Sequence, residues 1–484
     1  MMAEPLDIAI IGAGTAGLSA RAEVAQVTDS YRVFDPGPYG TFCARAACMP
    51  SKALLHSAHA YHRRHALEAL GILGGDALKV DAARVMEETR KLRDSLVEGV
   101  KDSMESWRDT HLVPHAAILE PDGILRAGET RFRPRATVIA TGSQPVVPEG
   151  WRDRLGDRLL TSDDVFDLRD LPRRMAVIGL GPVGLELGQA LARLGVEVTG
   201  FDPAATIGGL ADPDLLARFR RSLSDEMTIV NAAADPVATE SGAIRMDWDG
   251  GETEVDMVLV AMGRRPNIDA LGLEAWDVAL DEDGRPDLPE GQLNLPETRV
   301  YFAGDAGTGP ALLHEASDEG RLAGHFAACN GDARFDRRTP LRMVFSDPQI
   351  ALAGATWDAL KDRAEEIAIG EASFDQSGRT RLQRATGGAL RIYAEKATAR
   401  ILGAAIVAPE AEHLAHLLAY AIDRQDDLRA LLRMPVYHPT DEEVLRRGLR
   451  RALKATTVDA TELDAIRCAD APVDCDAVDD WDAL

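Results

Sequence analysis

The chain opens on a short apolar run, Leu6-Asp7-Ile8-Ala9-Ile10-Ile11, that stops abruptly at glycine. A run of that length bounded by glycine is a buried strand. The small residues after it, Gly12-Ala13-Gly14-Thr15-Ala16-Gly17, read as a turn entering a helix. A second apolar run, Tyr31 to Phe34, ends at Asp35. The same order returns later: Met175 to Ile178, then Gly179-Leu180-Gly181-Pro182-Val183-Gly184, then Glu197 to Phe201 ending at Asp202. Each half closes on a strand running into glycine, Thr137 to Thr141-Gly142 and Val258 to Met262-Gly263. A third such strand, Val300 to Ala303, meets Gly304-Asp305. The pattern predicts a strongly helical segment over Ser51–His65. It also predicts a charged, solvent-facing helix around Arg84–Trp107. From Pro340 onward, alternating strands such as Ala389–Tyr393 mix with helices and predict an α+β unit.

The repeated glycine pattern carries a mechanism. The first glycine permits a tight turn, the second lets backbone approach a pyrophosphate, and the third lets helix pack on strand. The helix N-terminus then offers unpaired N–H groups to phosphate. An acid at the end of the next strand can accept hydrogen bonds from a ribose. Twenty-three positions separate Gly12 from Asp35, and twenty-three separate Gly179 from Asp202. Two such units predict two dinucleotide sites. The competing reading is a pair of glycine turns in an α/β sheet that binds nothing.

Charge and length narrow the classes. With 484 residues the chain has room for about three domains. A net charge of −25 repels nucleic-acid backbones and anionic membranes, so neither partner is expected. It also suits a salt-rich cytoplasm. No apolar run is long enough to span a bilayer, and Ile8–Ile11 is too short for a signal peptide, so a cytoplasmic protein is expected. Residues 456–484 hold nine acids and one arginine and read as a solvated tail.

Five cysteines do not make a disulfide framework in this length. Close pairs in a reducing compartment suggest redox or metal chemistry, and there are two. Cys43 and Cys48 precede the helical segment, so Cys48 falls near a helix N-terminus, where the dipole stabilises a thiolate. Five residues of regular helix separate the side chains by about 7.5 Å of rise, beyond what a disulfide spans. A bonded pair therefore requires a distorted helix; the alternative is two unlinked cysteines. Cys468 and Cys475 lie in the acidic tail with Pro472 between them. They read as incidental, or as a second dithiol relaying electrons outward; the surrounding acids slow exchange. Cys329 is expected to be a packed apolar residue.

Taken in order, Gly12-x-Gly14-x-x-Gly17, Cys43-x4-Cys48-Met49-Pro50-Ser51-Lys52, the second fingerprint, Gly304-Asp305, and His438-Pro439-Thr440 with Glu443 resemble the flavin-dependent pyridine nucleotide–disulfide oxidoreductases over about residues 5–455. Among members of that family, the chain is most similar to the dihydrolipoamide dehydrogenases. The resemblance implies an α/β protein with two Rossmann-like domains, one for FAD and one for NAD, and a C-terminal α+β dimerisation domain. The boundaries expected are 1–149 and 271–337 for the FAD domain, 150–270 for the NAD domain, 338–455 for the dimerisation domain and 456–484 for the tail. FAD would take Gly12, Gly14, Gly17, Asp35, Lys52, Thr141, Gly142 and Asp305, and NAD would take Gly179, Gly181, Gly184, Asp202 and Gly263. No metal is implied. Cys48 would face the flavin and Cys43 would exchange with substrate. Lys52, paired with Glu186, would favour reduced flavin, and Asp305 would hold the ribityl chain. His438, oriented by Glu443, would serve as base from the other subunit of a homodimer, with an imidazole suited to proton transfer near neutrality.

The chain also departs from its relatives. Gly40-Thr41-Phe42 stands where relatives commonly have two glycines and a threonine, Arg45 and Ala47 replace the usual asparagine and glycine, and Val436 replaces a histidine. These positions line the approach of the substrate. Asp202, with no Arg or Lys across Pro203–Leu216, favours NAD over NADP. The expected activity moves electrons from a dihydrolipoyl group, on a carrier protein or a small dithiol, to NAD. The alternatives are reduction of another disulfide by NAD(P)H, and service as a docked redox subunit of a lipoyl-carrier complex.

Overall fold

The computed structural model describes residues 3–458, apart from 240–241, 277, 282–283, 330, 332–333 and 386. Cys468 and Cys475, and the relay considered for them, lie outside the described residues. Among the described residues no helix is long and apolar enough to cross a membrane.

The first sheet grows from the apolar run at the N-terminus. Strand Glu4–Ile11 lies between Tyr31–Phe34 and Thr130–Ile139, parallel to both. Ile8, Ala9, Ile10 and Ile11 are all buried, because this central strand is covered on both faces. The chain leaves this sheet after Ile139 and returns at Val300–Phe302, which pairs in parallel with the same strand. Ile124–Ala127 and Ala117–Glu120 add an antiparallel edge, and Leu112–Val113 closes the other side.

Helix Leu313–Cys329 crosses helix Thr15–Val24 in backbone contact. A Cβ on Gly320 would stand 2.2 Å from the Ala16 carbonyl oxygen, and one on Gly324 would stand 2.4 Å from that of Ala20. Two small residues spaced by four on each helix produce this approach. Cys329 ends the second helix exposed, not packed. Ala327 is still buried in the core two residues earlier, and two residues of helix turn Cys329 about 200° away from that face, towards solvent.

The second sheet is parallel throughout, in the order Thr228–Val230, Glu197–Phe201, Arg174–Ile178, Met257–Val260, Leu159–Leu160. Its connection to the first unit is a two-stranded antiparallel ladder, Ser143–Pro145 against Arg264–Pro266. The third unit is a five-stranded antiparallel sheet, Leu341–Val344, Gln349–Gly354, Ile401–Ala408, Ala389–Glu395 and Ile367–Ser373 in spatial order. Helices Ala411–Asp423 and Glu442–Lys454 bury apolar faces on it.

Polar contacts tie the second and third units together. Asp212, 1% exposed, caps helix Pro213–Leu223 by accepting from the Asp214 and Leu215 N–H groups. It also accepts from the Tyr393 hydroxyl at 2.7 Å and from Arg391 at 3.1 Å. Burial, followed by the Asp212 charge, pushes the Tyr393 phenol well above its usual range. Arg193 is likewise buried and reaches Glu226 at 2.6 Å and Asp347 at 2.8 Å. Breaking one member of such a buried network costs about 3–5 kcal/mol, because a charge is left uncompensated.

The segment expected as one solvent-facing helix over Arg84–Trp107 differs in the structure. It is two helices, Ala82–Asp102 and Glu105–His111, with Met86, Thr89, Met104 and Trp107 buried. Most of the charges occupy the outer face, while Arg93 lies on the inner one and pairs with Asp167 at 2.6 Å. The apolar face packs on the helix that follows the cysteine pair, with Met86 sharing a core with Leu54, Leu55 and Ala58.

Candidate functional site

Both glycine turns have the same construction. A Cβ on Gly17 would lie 1.9 Å from the Gly12 carbonyl oxygen, and one on Gly184 would lie 1.9 Å from that of Gly179. Gly14 and Gly181, in contrast, face open space, with nothing within 4 Å of an added Cβ. Each helix N-terminus thus looks onto room for a phosphate with its N–H groups pointing outward. Asp35 accepts from the N–H groups of Ala13 at 2.6 Å and Gly37 at 2.7 Å. Asp202 accepts from Leu180 at 2.7 Å and Ala204 at 2.8 Å. The acids expected to meet ribose therefore also hold the glycine turns in shape. In the first cradle the buried Thr141 Oγ1 has no hydrogen-bond partner among the described residues. An orphaned hydroxyl beside an open glycine turn fits a bound dinucleotide that would satisfy it.

The cysteine pair sits where one helix ends and another begins. Phe42–Ala46 is a short helix capped by the Thr41 side chain, and Cys48–His62 starts two residues later. Ala47 breaks the helical path between them, the distortion that a bonded pair requires. Cys43 and Cys48 are thiols joined by a hydrogen bond. That bond, followed by burial, pushes the Cys43 thiol up. The same bond holds Cys48 at about 7; burial opposes this and the Lys52 ammonium assists it. One thiolate near neutrality is the nucleophile that disulfide exchange uses.

Lys52 lies one helical turn beyond Cys48. Its Nζ stands 2.7 Å from Glu186 Oε2 and 4.7 Å from the centre of the Phe345 ring. Glu186 is buried and its Oε1 accepts the Phe345 N–H at 2.9 Å. The Phe345 carbonyl meets His59 Nε2 at 3.3 Å, on the same helix as Lys52. All three units thus converge on the lysine. The structure brings the expected pair together and adds Phe345, whose role rests on backbone atoms that sequence patterns do not mark.

A second chain of contacts was equally hidden. Ser143 donates to Asp305 Oδ2 at 2.6 Å. Arg264 Nε donates to Ser143 Oγ at 2.9 Å, and its guanidinium lies 4.0 Å from the centre of the Phe42 ring. Phe42, one of the departures noted above, therefore has a partner of its own. The stack joins the residue before Cys43 to the acid expected at the ribityl chain.

His438 and Glu443 are also brought together. The imidazole Nδ1 lies 3.0 Å from Glu443 Oε1 and 3.1 Å from Oε2. Glu443 is held below the usual carboxylate range: burial opposes this, and the His438 contact and the Thr440 N–H bring it about. The His438 side chain is 78% exposed on the third unit, and its hydrogen bonds among the described residues go to Glu443, not to the cysteines. Nδ1 is engaged, so Nε2 is the ring atom turned to other chemistry.

Comparison with known proteins agrees with this construction. The profile of the family described as pyridine nucleotide-disulphide oxidoreductase matches residues 6–320, and the profile of that family's dimerisation domain matches 341–448. The dihydrolipoyl dehydrogenase of Bacillus subtilis is 28% identical over 453 residues, which cover 92% of this chain and 98% of that protein. The dihydrolipoyl dehydrogenase of Trypanosoma brucei brucei is 29% identical over 463 residues, covering 91% and 95%. Cowpea (Vigna unguiculata) leghemoglobin reductase is 29% identical over 456 residues, covering 91% and 86%. Among solved structures, a Cu(II) complex of the HOCl-induced flavoprotein disulfide reductase RclA from Escherichia coli superposes with a TM-score of 0.81 at 20% identity, covering 93% of this chain and 99% of that one.

Proposed function

Because this chain belongs to the pyridine nucleotide-disulphide oxidoreductase family, we propose that it is a homodimeric FAD enzyme passing two electrons from a dihydrolipoyl group to NAD. The observation that carries this reading is the dithiol. Cys43 and Cys48 are in contact at a helix start, with one proton held tightly on Cys43 and Cys48 poised near neutrality beside Lys52. The relatives quoted above supply the lipoyl part of the reading.

The chain's own residues set out the thiol chemistry. In the oxidised enzyme a substrate thiolate attacks Cys43 Sγ; the Cys43–Cys48 bond breaks and Cys48 leaves as thiolate. Lys52 stabilises that charge. The second substrate thiol then attacks the mixed disulfide, closes the substrate disulfide and frees Cys43, which takes up a proton. Each attack requires a thiol to lose its proton. His438 Nε2 of the partner subunit would take it, with Glu443 fixing the ring through Nδ1. FAD, held by the first cradle, supplies the two-electron carrier between dithiol and nicotinamide. Asp202 would accept from the ribose of NAD and repel a 2′-phosphate.

The test is NADH appearance when the purified yellow protein is given dihydrolipoamide and NAD, with NADP in parallel. Fast turnover with NAD alone is expected. No turnover, despite bound flavin that NADH reduces, would overturn the lipoyl reading and point to another disulfide.

A further inference from the structure

The last helix, Glu442–Lys454, carries a charge pattern that the reaction does not use. Val444, Leu445, Gly448, Leu449, Ala452 and Leu453 are buried on the C-terminal sheet. The outer positions that remain after Glu443 are Arg446, Arg447, Arg450, Arg451 and Lys454, an unbroken cationic stripe in a chain of net charge −25. The helix dipole favours cations in the last turn but gives no reason for Arg446 and Arg447 in the second. Arg446 with Arg450, and Arg447 with Arg451, are like charges four apart, which repel along a helix. Burial, and after it neighbouring cations, holds the Arg447 and Arg450 guanidiniums below their usual range. Arg447 Nη2 is buried with no hydrogen-bond partner among the described residues.

The chain supplies the complement to this stripe. Just past the helix, Thr457 donates through its N–H and hydroxyl to the Lys396 carbonyl, and Val458 packs on the C-terminal core. From that anchored point residues 459–484 carry nine acids and one arginine, beginning with Asp459, Glu462 and Asp464. A thirteen-residue helix rises about 20 Å. Nine extended residues reach about 30 Å, enough to carry those three acids back along the stripe. The tether keeps them at millimolar effective concentration. We propose that the acidic C-terminal tail docks along the cationic outer face of helix Glu442–Lys454 of its own chain, held by charge.

The experiment is trypsin cleavage of the full-length holoenzyme after Arg467, the tail's one arginine, followed by mass spectrometry as release of 468–484. It is run at about 20 mM and about 500 mM NaCl, where screening differs strongly. Each rate is divided by that of a free 459–484 peptide in the same buffer. Docking gives roughly tenfold slower cleavage at low salt than at high salt. The difference collapses in Arg446→Gln/Arg450→Gln/Arg451→Gln. It collapses equally in Asp459→Asn/Glu462→Gln/Asp464→Asn, which changes none of the described residues. A wild-type rate equal to the free peptide's at both salts overturns the proposal. So does protection that persists in both variants, or protection that fades on dilution because separate molecules capture one another's tails.

Discussion

The two glycine cradles are built to the same plan and stand in different surroundings. Each has a third glycine against the first glycine's carbonyl and an acid bonded to the N–H that follows the first glycine. Around the first, Ala13 and Ala16 are buried, and helix Leu313–Cys329 lies directly on the helix it launches. Around the second, Val183 is 44% exposed and Met262 is 48% exposed. A returning helix crosses the first, exposed apolar side chains flank the second, and the phosphate side of both glycine turns is open. The same local motif therefore suits a cofactor that stays, at the first, and one that exchanges with each turnover, at the second.

The sharpest division falls between the thiol chemistry, on the first cradle's side, and nicotinamide chemistry at the second. Cys43→Ser is expected to lower dihydrolipoamide turnover by at least about 10³-fold while NADH-to-quinone diaphorase activity survives. Loss of both activities would show that the two halves are not separable. The proposed base should behave similarly, with His438→Gln lowering dithiol turnover by roughly 10²-fold and sparing flavin reduction by NADH.

The two cradles should respond differently to one added methyl. Gly17→Ala forces backbone apart where a second helix already presses, and is expected to yield protein without yellow colour. Gly184→Ala is expected to stay yellow, with flavin reduction by NADH at least about tenfold slower. Absorbance at the flavin band and stopped-flow reduction read the two. A colourless Gly184→Ala protein would break the comparison. A smaller change tests the second cradle alone: Asp202→Asn should cut the preference for NAD over NADP by about tenfold, measured as a ratio of kcat/KM values.

The smallest effect tests where the cradles meet. The reduced protein should be alkylated at a rate that rises with pH around a midpoint near 7, the value held at Cys48, because only the thiolate reacts. Lys52, which depresses that value, comes from the first side, and Glu186, which raises it, from the second. Lys52→Met should move the midpoint up and Glu186→Gln should move it down. Shifts in one direction for both would show that the pair acts by shape and not by charge.

Much of this arrangement was legible because it is local in sequence. Glycine spacing, strand-terminal acids, the cysteine pair and the His438-to-Glu443 interval each lie within one turn or one βαβ unit. The unread parts are long-range or belong to backbone. Phe345 bonds Glu186 through its N–H from 159 positions away. Arg264 reaches Ser143 and Phe42 across the junction of two units. Cys329 was misread because its place on the outer face follows from the stripe Ala316, Gly320, Ala323, Gly324 and Ala327, which turns inward, and not from the residue type. The charged face of Ala82–Asp102 hid Met86 and Thr89 on the other side. One missed contact had a signal: Gly320 and Gly324 match Ala16 and Ala20 in four-residue spacing, the pattern of closely crossed helices.

Asp212 has a consequence for how the molecule comes apart. The second unit is inserted into the first through a ladder of only three residues on each strand, a connection that alone would let it melt as an independent body. Its helix cap is also the acceptor for Tyr393 and Arg391 of the third unit, and Arg193 makes a parallel attachment to Asp347. Unfolding the second unit strips partners from a partly buried arginine and a buried tyrosine in the third, so the loss of one lowers the stability of the other. A calorimetric scan should record one endotherm for the pair, because they also share one apolar core, and Tyr393→Phe with Arg391→Met should lower its midpoint.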